Sequence, residues 1–234
     1  MRHAMDEIDF KVEVLAWVRR ASRGRALPVI ASEFSLNGTG IRADLAVLSD
    51  CFLGVEIKSA SDTLKRLPSQ MDGYSRYFDQ TILVVASKHE AGLETLNLCG
   101  AQVWTYRQPD GLACLTQGKP NDVVGHTLLG LLTAEEERRA IKRLATGADV
   151  HEAARCEFET AFKQRYAATS AKFWEAVRGR TIRRDDLTIL SRFHEQRVQG
   201  RIAAAEEERR WVAWAARVAV AGPDHPPFQS SSVS

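Results

Sequence analysis

Cysteine is scarce in this chain, and what there is lies apart. The four cysteines, Cys51, Cys99, Cys114 and Cys156, are scattered over 234 residues without a C-x-x-C pair. That argues against both a zinc ribbon and a disulfide framework, and it leads us to expect reduced thiols in a cytoplasmic protein. The six histidines form no H-x-H or H-x-x-x-H cluster and are read as structural or surface residues. No apolar run is long enough to span a bilayer, and the N-terminal MRHAMDEIDF lacks the apolar core of a signal peptide. An overall excess of one charge is missing too: the formal net charge is +2, so bulk electrostatics does not mark a nucleic-acid binder.

The charge is nevertheless uneven. Residues 1–120 hold 14 Lys+Arg and 14 Asp+Glu, whereas residues 155–201 hold 11 against 6, and nine of those eleven are arginines. Such an excess can attract phosphate backbones, or it can be a solvated helical surface.

Helical spacing of Ile8, Val12, Leu15 and Val18 predicts a first helix over Asp6 to Arg20. Strands are expected at 28–36, 41–48 and 52–59, then a helix opened by Pro68 and running to about Phe78. A buried strand at 81–87, a helix at about 89–99 and strands at 101–106 and 112–115 complete an α/β layout. After Gly118-Lys119-Pro120 strand signals vanish, which divides the chain into an α/β domain (1–118), a helical region (119–221) and a disordered tail (222–234). Thr133-Ala134-Glu135-Glu136 reads as a capping box.

The stretch RADLAVLSDCFLGVEIK, residues 42–58, carries the chemistry. If Ser49-Asp50-Cys51 closes a hairpin, residue 48 pairs with 52, Asp44 falls opposite Glu56, and Arg42 opposite Lys58. Asp44, Glu56 and Lys58 then share one face, and Ala43, Leu45, Val47, Leu53, Val55 and Ile57 form an apolar one. Two carboxylates facing each other on a sheet repel, and a hard cation between them relieves the repulsion. A lysine beside that cation can hold an attacking water, which is apparatus for phosphodiester hydrolysis. The competing reading is a surface hairpin neutralised by its own Lys58 and Arg42.

Here the segment resembles the PD-(D/E)XK nuclease superfamily. Asp44 matches its Asp, Glu56-Ile57-Lys58 its (D/E)-x-K, and Gln70 to Tyr74, QMDGY, the Q-x-x-x-Y element of RecB-like members. EIKSASDTLKRLPSQ is also similar to a little-characterised bacterial group with an E-I-K-S…D-T-L-x-R-L…Q stretch. The resemblance covers roughly residues 6–107. It implies a restriction-endonuclease-like αβββαβ core with a mixed sheet, followed by an all-helical C-terminal region. It further implies a Mg²⁺-dependent deoxyribonuclease, more an endonuclease than an exonuclease, with Mn²⁺ as substitute metal. Asp44, Glu56 and the Ile57 carbonyl would bind metal, Lys58 would position water, and Gln70 would orient substrate or water. Glu33 is a further candidate acid, weighted above Glu13, and Arg42, Lys65, Arg66 and Tyr74 are candidate DNA contacts. The alternative is a catalytically silent or partner-activated nucleic-acid-binding module of the same fold, in DNA repair, phage defence or a mobile element.

The helical half is less specific. Residues 170–201 interleave arginine with apolar residues, and the Arg178-Gly179-Arg180 turn can be drawn as helix-turn-helix. A helical bundle that clamps substrate or forms a homodimer is the more conservative reading, with Trp211 and Trp214 in 203–220 suited to self-association.

Overall fold

The structure is a computed structural model and describes residues 5–36, 39–144, 150–191 and 209. One mixed sheet carries six strands in chain order: β1 (Val29–Leu36), β2 (Ile41–Leu48), β3 (Phe52–Lys58), β4 (Gln80–Val85), β5 (Gln102–Arg107) and β6 (Gly111–Thr116). β3–β4 and β4–β5 are parallel, and the other pairings are antiparallel. A parallel neighbour needs a crossover. The first is α2 (Leu67–Tyr77), with Pro68 in its first turn, where a missing N–H costs nothing.

The second crossover departs from the sequence expectation. In place of an α-helix at 89–99, a 3₁₀ helix spans Ser87–Leu93. Gly92 weakens any longer helix there, and the Asn97 side chain takes the Cys99 N–H at 3.0 Å, in competition with helical bonding.

α1 (Glu7–Ala21) starts at a capping box in which Asp6 and Asp9 exchange side-chain bonds of 3.0 and 3.1 Å with each other's backbone N–H. Its inward stripe is Phe10, Val14, Leu15 and Val18, set against Leu45, Val47, Leu53, Val55 and Ile57. Ile8, expected inside, is 41% exposed, because the helix is turned so that Lys11 points inward at 5% exposure.

The opposite face is aromatic: Phe52 meets Phe34, Phe158 and Phe162 edge-on at centroid distances of 5.9, 4.9 and 5.3 Å. It is covered by α2, by α3 (Gly125–Leu129) and by the first part of α5 (Val150–Ala176). α4 (Ala134–Leu144) opens on the expected capping box, with Thr133 and Glu136 exchanging bonds at 2.7 and 3.3 Å. Phe158, Phe162 and Tyr166 of α5 belong to this aromatic cluster, but Phe173 and Trp174 belong to the α1 side. At roughly 1.5 Å per residue the helix is long enough to pass round the β1 edge. At the crossing, the buried Ser170 hydroxyl accepts from the Ile30 N–H at 2.8 Å and lies 3.1 Å from the Ile30 carbonyl. The Trp174 Nε1–H donates to the Pro28 carbonyl at 2.9 Å. Side chains of α5 therefore satisfy backbone groups of an edge strand that would otherwise be open to pairing.

α5 thus completes the core, and residues 1–192 form one compact unit. The domain boundary expected at 118/119 falls inside it. A second unit spans 193–234, of which Arg209 alone is described, in helical conformation. The expected tail at 222–234 and the Trp211 and Trp214 segment lie outside the described residues. Among the described residues, no helix is long and apolar enough to cross a membrane.

Candidate active site

The hairpin register runs as expected as far as Leu48↔Phe52, Val47↔Leu53, Ala46↔Gly54 and Leu45↔Val55, and the ladder stops there. Asp44 and Glu56 are therefore not a paired rung. Where the strands part, the Asp44 carboxylate accepts the Ile57 N–H at 2.6 Å, filling the position a strand carbonyl would have taken. Arg42 likewise does not face Lys58; it pairs across the other side of β2, with Ser35.

A second irregularity lies one strand over. The β1–β2 ladder keeps one register but omits Glu33 and Asp44, and Glu33 has φ +57°. An L-residue in that region is strained, and it reverses the in-out alternation of the strand. Ile30 and Val47 pack on the α1 side, whereas Phe34 and Ala43, beyond Glu33, pack on the aromatic side. Ala43 is thus not on the Leu45 face, as strict alternation predicts.

Glu56 and Lys58 lie side by side at 3% and 6% exposure, with the ammonium bonded to Glu56 Oε1. The Gln70 Nε2 amide donates to the same oxygen at 2.6 Å, and the Tyr74 hydroxyl donates to Oε2 at 2.6 Å. Gln70 and Tyr74 sit four apart on α2, so one helical face delivers both donors. Tyr74 is wholly buried. It braces the carboxylate and has no surface to offer a nucleic acid, which corrects its expected role as a DNA contact. Burial, with the nearby Glu56 and Asp44 charges, pushes its hydroxyl well above the usual phenol range, so it remains a donor.

On the α1 side, the Lys11 ammonium bonds Glu7 at 2.7 Å and also Glu33, while Arg42 Nε reaches the other Glu33 oxygen at 2.7 Å. Glu7, Glu33 and Asp44 each offer a carboxylate oxygen, and the three lie within 4.8 Å of one another. Burial of Asp44, reinforced by the Glu56 charge and opposed by Lys11 and the Ile57 N–H, pushes its carboxyl up to about 8. Burial works against the Lys11 charge, but the bonds to Glu33 and Glu7 and the Asp44 charge outweigh it and raise its pKa.

Glu7 is the acid that sequence reasoning missed. Its signal was the i,i+4 spacing to Lys11 on the first helix. Glu13, the α1 acid expected from the sequence, borders a separate hollow with Tyr106 and Ile182. Lys65 and Arg66 are exposed in the turn before α2. Asp62 closes the preceding turn, just after β3, accepting the Ser59 N–H at 2.8 Å.

Many of the C-terminal arginines are held in ion pairs. Arg155 pairs with Asp79, Arg180 with Asp186 at 2.8 Å, and Arg184 with Asp6 at 2.7 Å and with Asp9. Beyond the 178–180 turn, Arg184–Leu190 is a 3₁₀ helix. The part of the expected helix-turn-helix beyond residue 191 lies outside the described residues.

Asp44, Glu56 and the Ile57 carbonyl offer oxygen alone, the donor type a hard divalent cation takes. The other end of the Gln70 amide, Oε1, is left over. It is buried without a hydrogen-bond partner, and a bound water would serve it.

Comparison with protein families matches residues 1–191 to the family described as bacteriophage P4 protein cII, and the chain belongs to that family. Comparison with curated proteins finds no match. Among solved structures, a protein of unknown function from Silicibacter pomeroyi is similar at 14% identity and a TM-score of 0.42, covering 73% of this chain and 89% of that one.

Proposed function

We propose that the protein is a metal-dependent nuclease that hydrolyses DNA phosphodiester bonds on a restriction-endonuclease-like core. One observation carries the reading: Asp44 held on the Ile57 N–H, beside a buried Glu56–Lys58 pair braced by Gln70 and Tyr74. Asp44, Glu56 and the Ile57 carbonyl would hold Mg²⁺, or Mn²⁺ in its place. Bound there, the metal would acidify a water and neutralise charge on the phosphate. Lys58 orients that water and steadies the developing phosphorane, and Gln70 fixes the Glu56 carboxylate through one end of its amide. Lys65 and Arg66, exposed on the turn before α2, would meet phosphates. Membership of a phage protein family fits a mobile-element setting. Asp44→Asn should abolish metal-dependent cleavage and keep the fold, and undiminished cutting by that variant would sink the assignment.

A second reading, a nucleic-acid-binding module that is silent or needs a partner, is favoured by the cations themselves. Lys58 is bonded to Glu56 and Arg42 to Glu33, leaving both engaged by acids. Mn²⁺ binding without cleavage of any DNA or RNA form would select it.

A further inference from the structure

Lys11 is not part of the hydrolytic apparatus just described, yet it is the buried cation of the acid cluster. Its side chain is 7% exposed, and its ammonium reaches Glu7 and Glu33 while its charge acts on Asp44. Three features converge on keeping it there. α1 is rotated to bring it inward at the expense of Ile8. Glu33 adopts a left-handed backbone whose carboxylate then lies between Lys11 and Arg42. Glu7 stands one turn before it on the same helix, at 46% side-chain exposure.

The geometry points to Lys11 as a resident counter-ion of the Glu7–Glu33–Asp44 cluster that competes with the divalent cation for Asp44. This rests on the metal-dependent reading above and adds a regulator to it. A cation arriving at Asp44 meets a positive charge already satisfied by the neighbouring acids, and a charge so placed and so dry opposes a second one strongly. Loading therefore requires Lys11 to withdraw from Glu33 or turn outward beside the exposed Glu7. Lys11 sets the metal concentration at which the site fills, and it takes no part in bond breaking.

The test is binding. Mn²⁺ titration by calorimetry on the full chain should give a dissociation constant about tenfold lower for Lys11→Met than for wild type, with Lys11→Arg near wild type. An unchanged or weaker constant in folded Lys11→Met overturns the inference. If wild type binds Mn²⁺ and Asp44→Asn does not, such a result leaves the nuclease reading standing. Binding by neither wild type nor Lys11→Met overturns both. A measurement on the wild type guards against a variant that does not fold: acetylation of Lys11, followed by mass spectrometry, should rise several-fold at saturating Mg²⁺. Protection that persists under saturation contradicts displacement.

Discussion

Asp44 offers a prediction that needs no metal. In the folded chain its carboxyl titrates near 8, against an ordinary value of 3.8. The raised value means that the folded state holds this proton more tightly than the unfolded one. The stabilisation is therefore complete below about pH 4 and is lost as pH rises toward 8. Its slope is about 1.4 kcal/mol per pH unit, so the loss between pH 4 and pH 7 is on the order of 4 kcal/mol. Asparagine in the same place stays neutral, and its carbonyl can still accept the Ile57 N–H. Urea unfolding of wild type and Asp44→Asn in EDTA, from pH 4 to 8, should show the wild type losing several kcal/mol relative to the variant. Stability curves that run parallel across that range would mean that Asp44 is already ionised in the fold, and that the argument from burial is mistaken.

Two further outcomes follow from the same packing. Tyr74→Phe removes the donor to Glu56 Oε2 inside the core and should lower stability by about 2 kcal/mol, read by denaturant titration, with the fold retained by circular dichroism. Ser170→Ala leaves the Ile30 N–H without its acceptor at the β1 edge and should cost about 1–3 kcal/mol, with faster amide exchange confined first to β1.

The sheet was legible because its strands obey simple rules. The 49–51 loop and the alternation on either side set the hairpin register correctly from residue 45 to 55. Gln70 and Tyr74, four apart on a helix opened by Pro68, could be placed together in advance. What could not be read depends on contacts between distant elements. The positive φ of Glu33 has no local signature, since the residue is not glycine, and it marks the irregularity shared with Asp44 beyond which Ala43 leaves the Leu45 face. The buried face of α1 differs from the expected one because two neighbouring stripes both fit helical spacing, and a lysine occupies the inward one. Glu7 becomes a site residue only when α1 is laid beside β1. The long reach of α5 round the sheet edge was likewise invisible in a sequence that turns wholly helical after residue 118.

The proposed hydrolysis takes place at this hairpin. Its most direct test is cleavage of plasmid and single-stranded DNA with Mg²⁺ or Mn²⁺, comparing wild type with Lys58→Ala whose fold has been checked by circular dichroism. Cleavage by the wild type, lost in the variant and abolished by EDTA, is the predicted result. Cleavage equal in the two proteins, or none by the wild type with either metal, would contradict it.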